Sequence, residues 1–284
     1  MKYAYFPGCA SKQLTSEYDK ATRLACDKLG IKLVDIPEFS CCGAGVVREA
    51  NKDFNTALNA RNFALSEKQN LDIMTICSTC VVNLRKDLIE LKENKEKLEE
   101  SNQYLKRFHM KCEAKLDIKH WLWVLTQDYG LEKIKKHVKV PLTGLKVATY
   151  YGCHILRPSK IVGQHQESEN PDNFESFVKA LGAIPVDVDG KLDCCGFHVT
   201  LTHKKDAAKM SGKYLSNTKE SNADLIVTNC PFCHTQMDLY QKKFKMPVLH
   251  MSQLLCLALG FTPKEVGLQK HIVQLPDKLW KRFS

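Results

Sequence analysis

The sequence predicts an α/β protein of two homologous halves, each a mostly parallel sheet with flanking helices and five cysteines at the carboxyl ends of its strands. Three observations predict this fold. Ten of the 13 cysteines form two sets with nearly the same spacing, C-x31-CC-x34-CxxC and C-x40-CC-x34-CxxC. The residues around these cysteines repeat as well. Finally, short apolar runs alternate with helical stretches, which is typical of βαβ units.

The repeat extends beyond the cysteines. The segment LGIKLVDIPEFSCCG matches LGAIPVDVDGKLDCCG, LDIMTICSTC matches ADLIVTNCPFC, and YFPGC matches TYYGC. Two copies of one unit are the simplest explanation. We therefore predict a first domain at 1–140 and a second domain at 141–284, which ends in a helix and a basic tail.

The first half is predicted to alternate strands and helices. KYAYF, IKLVDI and LDIMTI are short, β-branched or aromatic runs typical of strands. Between them, Tyr18, Ala21, Ala25 and Leu29 share one helical face that stops at Gly30, and 52–69 has helical spacing. A long, charged helix is predicted from about 83 to 108, with a narrow stripe of leucines.

The cysteines follow the predicted strands. Because parallel strands end on one edge of a sheet, residues that follow different strands converge there. The first half is expected to gather Cys9, Cys41, Cys42, Cys77 and Cys80. The second half is expected to gather Cys153, Cys194, Cys195, Cys230 and Cys233. Each half is thus predicted to build one five-thiolate site.

Five thiolates exceed the four ligands that close a tetrahedral zinc site. Ordinary iron–sulfur cubanes also take four cysteines, commonly clustered as CxxCxxC, a spacing that this sequence lacks. Adjacent cysteines suit a larger or distorted multi-iron cluster in which one sulfur bridges two irons. Gly43 and Gly196, which follow the paired cysteines, let the backbone turn sharply near the metal. Whether one of the two sites binds zinc instead is left open by the sequence.

Composition narrows the remaining function classes. The 284 residues carry a formal net charge of +10, yet the lysines are interleaved with acidic residues. No basic stretch is interleaved with aromatic residues, so we expect no nucleic-acid partner. The amino terminus lacks a secretory pattern, and no apolar run approaches the roughly 20 residues that span a bilayer. Thirteen cysteines in such a chain indicate metal or redox chemistry.

With these motifs in place, each half resembles the CCG cysteine-rich domain, and the whole chain resembles the family of the B subunits of heterodisulfide reductases. The stretches YYGCHILRPSK and NPDNFESFVKALGA are most similar to the E-type subunit of succinate dehydrogenases and methylmenaquinol:fumarate reductases. The resemblance implies two noncubane 4Fe–4S clusters, one on each set of five cysteines. It also implies a place near the substrate for His154, as a proton donor.

The resemblance further implies an oxidoreductase complex, quinone-linked in the E-type branch or disulfide-reducing in the other. A ferredoxin-type iron–sulfur subunit and a flavoprotein subunit would be the partners, because this sequence has neither a ferredoxin motif nor a GxGxxG after a strand. The expected location is peripheral to the cell membrane, with the chain otherwise cytoplasmic. A structural zinc protein is the alternative from another class.

Several residues outside the two sets have two interpretations. Cys26 and Cys256 are expected to be buried, whereas Cys112 lies in a polar linker and could be a surface thiol. His198 lies near a ligand cysteine and could donate a hydrogen bond to a cluster sulfide. Arg157 could neutralise the negative charge of a cluster or a substrate. Trp121 and Trp123 are expected to pack between the halves, with shallow insertion into an anionic bilayer as the alternative.

Overall fold

A computed structural model describes residues 1–163, 167–241 and 243–284 and contains two four-stranded sheets in which all neighbouring strands are parallel. The strands of the first sheet are β1 (Lys2–Phe6), β2 (Lys32–Asp35), β3 (Ile73–Thr75) and β4 (Ile118–His120), in the order β2-β1-β3-β4. Those of the second are β5 (Lys146–Tyr150), β6 (Ile184–Val186), β7 (Leu225–Thr228) and β8 (Val248–His250), in the order β6-β5-β7-β8. The predicted fold class is confirmed.

Helices flank both sheets. In the first half they are α1 (Gly8–Lys12), α2 (Ser16–Leu29), α3 (Val46–Ala50), α4 (Lys52–Glu67), α5 (Ser78–Glu93), α6 (Lys95–Leu105), α7 (Trp121–Trp123) and α8 (Leu131–His137), with a π-helical segment (Val124–Gly130) between the last two. In the second half they are α9 (Ser159–Val162), α10 (Asn173–Ala180), α11 (Lys204–Glu220), α12 (Pro231–Tyr240), α13 (Met251–Ala258) and α14 (Asp277–Arg282). The prediction of a domain boundary between 140 and 141 stays a prediction.

Local sequence explains where the main elements begin and end. Along α2, Tyr18, Ala21 and Ala25 are buried, and Gly30 ends the helix in the left-handed conformation with φ of 69°. The side chain of Asn51 accepts a hydrogen bond from the Phe54 amide and so caps α4. Strand β7 is buried along its whole length, as expected for a central parallel strand.

Two sequence predictions about the elements need correction. The single helix expected at about 83–108 is two helices, because the chain breaks at Asn94, whose side chain caps the start of α6. The fourth strand of each sheet, β4 and β8, was not predicted. Each is short and ends in a histidine, so the apolar run typical of a buried strand is missing from the sequence.

Helix α13 of the second half packs against the first half. Helix α13 lies on α2, where the hydroxyls of Thr22 and Ser252 are 2.7 Å apart and the Cys256 thiol donates to the Ala21 carbonyl at 3.1 Å. Helix α8 contacts α10 in the reverse sense, from the first half to the second. The two halves therefore share one continuous core.

Burial decides several of the remaining predictions. Trp121 and Trp123 are fully buried, so packing is confirmed and their insertion into a bilayer is wrong. Cys26 and Cys256 are buried as predicted. Cys112 is also fully buried, so the surface-thiol interpretation is wrong. The Asn102 side chain holds this segment in place through hydrogen bonds with the Cys112 amide and carbonyl. No helix among the described residues is long and apolar enough to cross a membrane.

Candidate metal centre

The ten repeated cysteines lie at the carboxyl ends of the parallel strands. Cys9 lies on the short helix α1, directly after β1, and Cys153 lies in the bend that follows β5. The CxxC cysteines follow β3 and β7 and open α5 and α12. The paired cysteines come later than predicted, since residues 36–40 and 187–193 separate them from β2 and β6. The expected convergence is nevertheless observed.

Within each half the thiols contact one another in a row. In the first half the Cys42 thiol donates to the Cys80 sulfur at 3.5 Å. The row of the first half is Cys9, Cys41, Cys42, Cys80 and Cys77. The row of the second half is Cys153, Cys194, Cys195, Cys233 and Cys230. The members correspond one to one in the repeat.

The two rows meet. The thiols of Cys77 and Cys230 contact each other, so the ten sulfurs form one continuous chain of contacts that spans both halves. Next to this junction the Ser78 hydroxyl donates to the Asn229 amide oxygen at 2.9 Å. The junction is buried, whereas Cys9 and Cys41 at the outer end of the first row are exposed. A site with a buried centre and an accessible end is the result.

Hydrogen bonds set the charge along each row. Donation from the Cys42 and Cys9 thiols and from the Gly43 amide lowers the pKa of Cys41 to about 2. The matching bonds from Cys153, Cys195 and the Gly196 amide lower the pKa of Cys194 to about 2. The donor thiols Cys9 and Cys153 have raised pKa values, chiefly because of the same hydrogen bonds. Each row thus favours at least one thiolate, the form that binds metal.

The donor chemistry fits iron–sulfur clusters. Thiolates are the ligands of such clusters, and five in contact exceed what a tetrahedral zinc ion takes. Two glycines also bring the backbone close to the sulfurs. A Cβ on Gly8 would lie 3.1 Å from the Cys80 sulfur, and one on Gly152 would lie 2.9 Å from the Cys233 sulfur. Among the residues that the structure describes, no three His, Cys, Asp or Glu side chains are arranged to hold a single metal ion.

The two sites differ in their polar surroundings. His154 and His198 of the second half both contact the Thr79 hydroxyl, at 2.9 Å through Nδ1 and at 3.3 Å through Nε2 respectively. Burial lowers the pKa of His154, so the neutral imidazole is favoured. In the first half Ala10 and Gly45 occupy the matching positions. Two imidazoles therefore lie beside the second row without a counterpart beside the first.

The Arg157 guanidinium bonds a backbone carbonyl and a carboxylate. Its guanidinium donates to the Leu192 carbonyl at 3.1 Å and is 3.8 Å from the carboxylate of Glu169, and the side chain is about half exposed. It therefore positions the loop before the paired cysteines of the second half. A direct contact with a substrate is not what this geometry favours.

Sequence reasoning missed two histidines that connect the halves. His120 and His250 are each the last residue of the fourth strand of a sheet, and the Nδ1 atom of each accepts a backbone N–H of the helix that comes next. The other ring nitrogen of His120 lies 3.0 Å from the Asn229 carbonyl, which precedes Cys230. The signal was present, because the two histidines occupy matching places in KHWL and LHMS.

Comparison with known proteins agrees with this architecture. The model of the cysteine-rich domain family CCG matches residues 3–85 and 147–238. The chain is 40% identical to the 8-methylmenaquinol:fumarate reductase membrane anchor subunit of Wolinella succinogenes, over 96% of this chain and 97% of that protein. It is 38% identical to the B subunit of a ferredoxin/F420H2-dependent CoB–CoM heterodisulfide reductase of Methanosarcina acetivorans, over 100% of this chain and 97% of that protein. Both relatives are subunits of oxidoreductases.

One solved structure has a similar fold. The crystal structure of a hypothetical protein from Helicobacter pylori superposes with a TM-score of 0.77 at 15% identity. The match covers 97% of this chain and 52% of that one, so this chain spans about half of that protein. At this level of identity the likeness concerns the fold alone.

Proposed function

Because this chain belongs to the family of proteins that contain the CCG cysteine-rich domain, we propose that it is the iron–sulfur subunit of a multi-subunit oxidoreductase of the quinone-linked fumarate reductase or succinate dehydrogenase type. The observation that carries the proposal is the unbroken row of ten thiols at the strand ends. Similarity to the Wolinella succinogenes subunit over nearly the whole of both chains supports the quinone-linked type.

In this proposal each row of thiols holds one noncubane 4Fe–4S cluster. Cys9, Cys41, Cys42, Cys77 and Cys80 would hold the first, and Cys153, Cys194, Cys195, Cys230 and Cys233 the second. Bound clusters of this kind accept and release single electrons, and two of them can serve a two-electron substrate. Contact between Cys77 and Cys230 supports electron exchange across the junction.

The protein itself would orient the cysteines, donate a proton and exclude water from the site. The Gly43 and Gly196 amides donate to sulfur, which orients the paired cysteines. His154, held by Thr79, is the proposed proton donor beside the second row. Phe197 and Phe232 stack at 4.2 Å between ring centroids and shield that side from solvent. These roles require no catalytic group beyond the described residues of the two rows and their neighbours.

The complex would supply what this chain lacks. A ferredoxin-type iron–sulfur subunit and a flavoprotein subunit are the proposed partners, since fumarate chemistry needs a hydride-transferring cofactor. We propose a peripheral position on the cell membrane, supported by the name of the Wolinella succinogenes relative as a membrane anchor subunit. The net charge of +10 would favour an anionic bilayer surface.

Reoxidation of the reduced protein tests the proposed substrate. Protein purified without oxygen and reduced with dithionite should be reoxidised by a soluble naphthoquinone such as menadione and not by a CoB–CoM heterodisulfide. The cluster absorbance and the electron paramagnetic resonance signal would report the change. Rapid reoxidation by the disulfide alone would favour the heterodisulfide reductase type instead.

A further inference from the structure

A cavity of about 320 Å³ opens beside the outer end of the first row of thiols. It lies at the carboxyl ends of β1 and β2, and Cys9 and Cys41 form one of its edges. Cavities for small molecules begin near this size, at roughly 300 Å³. We name it the Cys9 pocket. Both of its cysteines are exposed, so a molecule bound there would lie directly against the first metal site.

Most of the wall of the Cys9 pocket is apolar and rigid. Phe6 and Phe39 pack with their ring centroids 5.2 Å apart, and Ile36 is buried beside them. Pro7 and Pro37 complete the apolar wall, and their fixed backbone angles limit its movement. Such a wall suits a flat, largely apolar ring.

The polar wall is nearly neutral. The Arg23 guanidinium lies over the Tyr5 ring at 4.8 Å and is fully engaged with two carboxylates, donating to Asp19 at 3.1 Å and to Asp35 at 2.7 and 2.9 Å. Lys12 forms no ion pair with any residue that the structure describes, and its side chain is exposed at the mouth. Lys12 is thus available as a hydrogen-bond donor, and the charges of Arg23 and Lys12 balance those of Asp19 and Asp35 on this wall.

This charge pattern discriminates between ligand classes. A bulky anionic disulfide would gain no net positive charge from this wall, because the two cations are balanced by the two carboxylates. An uncharged ring with carbonyl oxygens can accept a hydrogen bond from Lys12 and place its apolar face on Phe39 and Ile36. The Cys9 pocket therefore favours the second class.

The matching positions in the second half carry two hydrogen-bonded tyrosines. Tyr150 stands where the first half has Phe6, and its hydroxyl donates to the Asp193 carbonyl at 2.7 Å. Tyr151 stands where the first half has Pro7, is fully buried, and donates to Glu175 at 2.5 Å. The repeat has therefore kept both rows of thiols but has left this space open beside the first row.

We propose that the Cys9 pocket binds the head group of a quinone, with Lys12 as the donor to a carbonyl oxygen. The identity of the ligand class rests on the proposed function, whereas the location rests on the pocket itself. A cavity of this volume accommodates a compact ring and leaves an isoprenoid tail to extend through the open mouth, toward a bilayer. The first row of thiols is then the site next to the quinone, and the second row is the site next to the histidines.

Equilibrium binding of menadione to the purified holoprotein tests this location. Pro37 is exposed, so Pro37→Trp should fill the mouth without disturbing the core and should weaken binding at least tenfold. Lys12→Ala should weaken it roughly tenfold to a hundredfold, the usual effect of losing one charge-assisted hydrogen bond. Exposed neighbours outside the pocket provide matched controls: Glu38→Trp and Lys32→Ala should bind menadione as the wild type does. The iron content of every variant should stay unchanged.

The outcomes separate the pocket from the function. If the wild type binds menadione and both pocket variants bind it equally well, the location is wrong while the quinone-linked function stands. If the wild type binds no menadione and is not reoxidised by it, the quinone-linked function fails and the pocket proposal fails with it. Weakening by Glu38→Trp to the same degree as by Pro37→Trp would also overturn the assignment.

Discussion

Gly152 shows how closely the backbone approaches the sulfurs. Its φ is +69°, and a Cβ there would lie 2.9 Å from the Cys233 sulfur and 3.6 Å from the Tyr150 ring. A contact under 3.0 Å forces a neighbour to move, and the neighbour here is a proposed cluster ligand. Glycine is therefore required at this position by the metal site as well as by the backbone conformation.

Gly152→Ala should displace Cys233 and lower the iron content of the protein by up to half, with the loss confined to the second site. The matched control is Gly144→Ala, which has a φ of +79° with open space around it. Both variants carry a backbone strain of about 1–2 kcal/mol, but only the first disturbs a sulfur. Iron assays and thermal unfolding of the two variants check this. Equal iron loss in both would contradict the argument.

The sequence predicts the ten cysteines because duplicated spacing is visible without any structure. Thr79 could not be found in this way. Its importance comes from contacts with His154 and His198, which belong to the other half and lie far away in sequence. The charge pattern of the Cys9 pocket likewise depends on which carboxylates Arg23 reaches, and spacing alone does not show that.

At the scale of elements, one buried carboxylate joins three helices around the first site. Asp87 on α5 is fully buried and accepts hydrogen bonds from Arg48 of α3 and from Asn55 and Asn59 of α4. Asn59 also donates to the Cys42 carbonyl at 2.9 Å. The network therefore fixes the loop that carries the paired cysteines.

Asp87→Ala should destabilise the fold by about 3 kcal/mol or more, because it leaves the partly buried Arg48 and two buried amides without their acceptor. Glu90→Ala, one helical turn along, removes the carboxylate that pairs with the exposed Lys52 and should cost less than about 1 kcal/mol. Chemical denaturation of both variants measures the difference. A small effect of Asp87→Ala would show that the network is dispensable.

The elements that sequence reasoning missed have physical explanations. A helix-compatible pattern continues through Asn94, but the Asn94 side chain bonds the amides of Glu96 and Lys97 and starts a new helix. The third residue of both β4 and β8 is a buried histidine, so neither strand has the apolar character expected of a core strand. Tertiary contacts, not local preference, decide these segments.

At the scale of the whole molecule, buried histidines lie where the halves meet. Tyr18 of the first half stacks on His250 at 4.6 Å and lies edge-on to His234 at 4.9 Å. His271 accepts from the Gln253 amide at 3.0 Å in the same cluster. Burial lowers the pKa of both His250 and His271 to about 4, so both are neutral in the folded protein.

Acid should therefore destabilise the folded molecule. Below the ordinary histidine pKa of about 6.5 the unfolded chain binds protons that the folded chain does not, down to about pH 4. In this window each such histidine lowers the free energy of unfolding by about 1.4 kcal/mol per pH unit. His271→Gln should reduce the change of the unfolding free energy with pH by the contribution of one histidine. His203→Gln, at an exposed position, should leave that pH dependence as it is in the wild type. Denaturant melts between pH 7 and pH 5 test both; equal slopes would contradict the explanation.

The duplication determines the symmetry of the molecule, and the departures from it suggest its function. Both halves carry the same row of thiols, yet the Cys9 pocket lies beside the first row, and His154 and His198 lie beside the second. The repeat in the sequence predicts the symmetric part. The asymmetric part depends on single substitutions such as Pro7 against Tyr151, whose consequences require the packing to be known.

Iron and acid-labile sulfide, counted per chain in protein purified without oxygen, test the central claim most directly. Two clusters predict about eight of each for the wild type. Cys42→Ser and Cys195→Ser should each retain about half, since each removes one member of a different row, and Cys26→Ala should retain all of it. Zinc without sulfide in the wild type, or an unchanged iron count in both serine variants, would contradict the account.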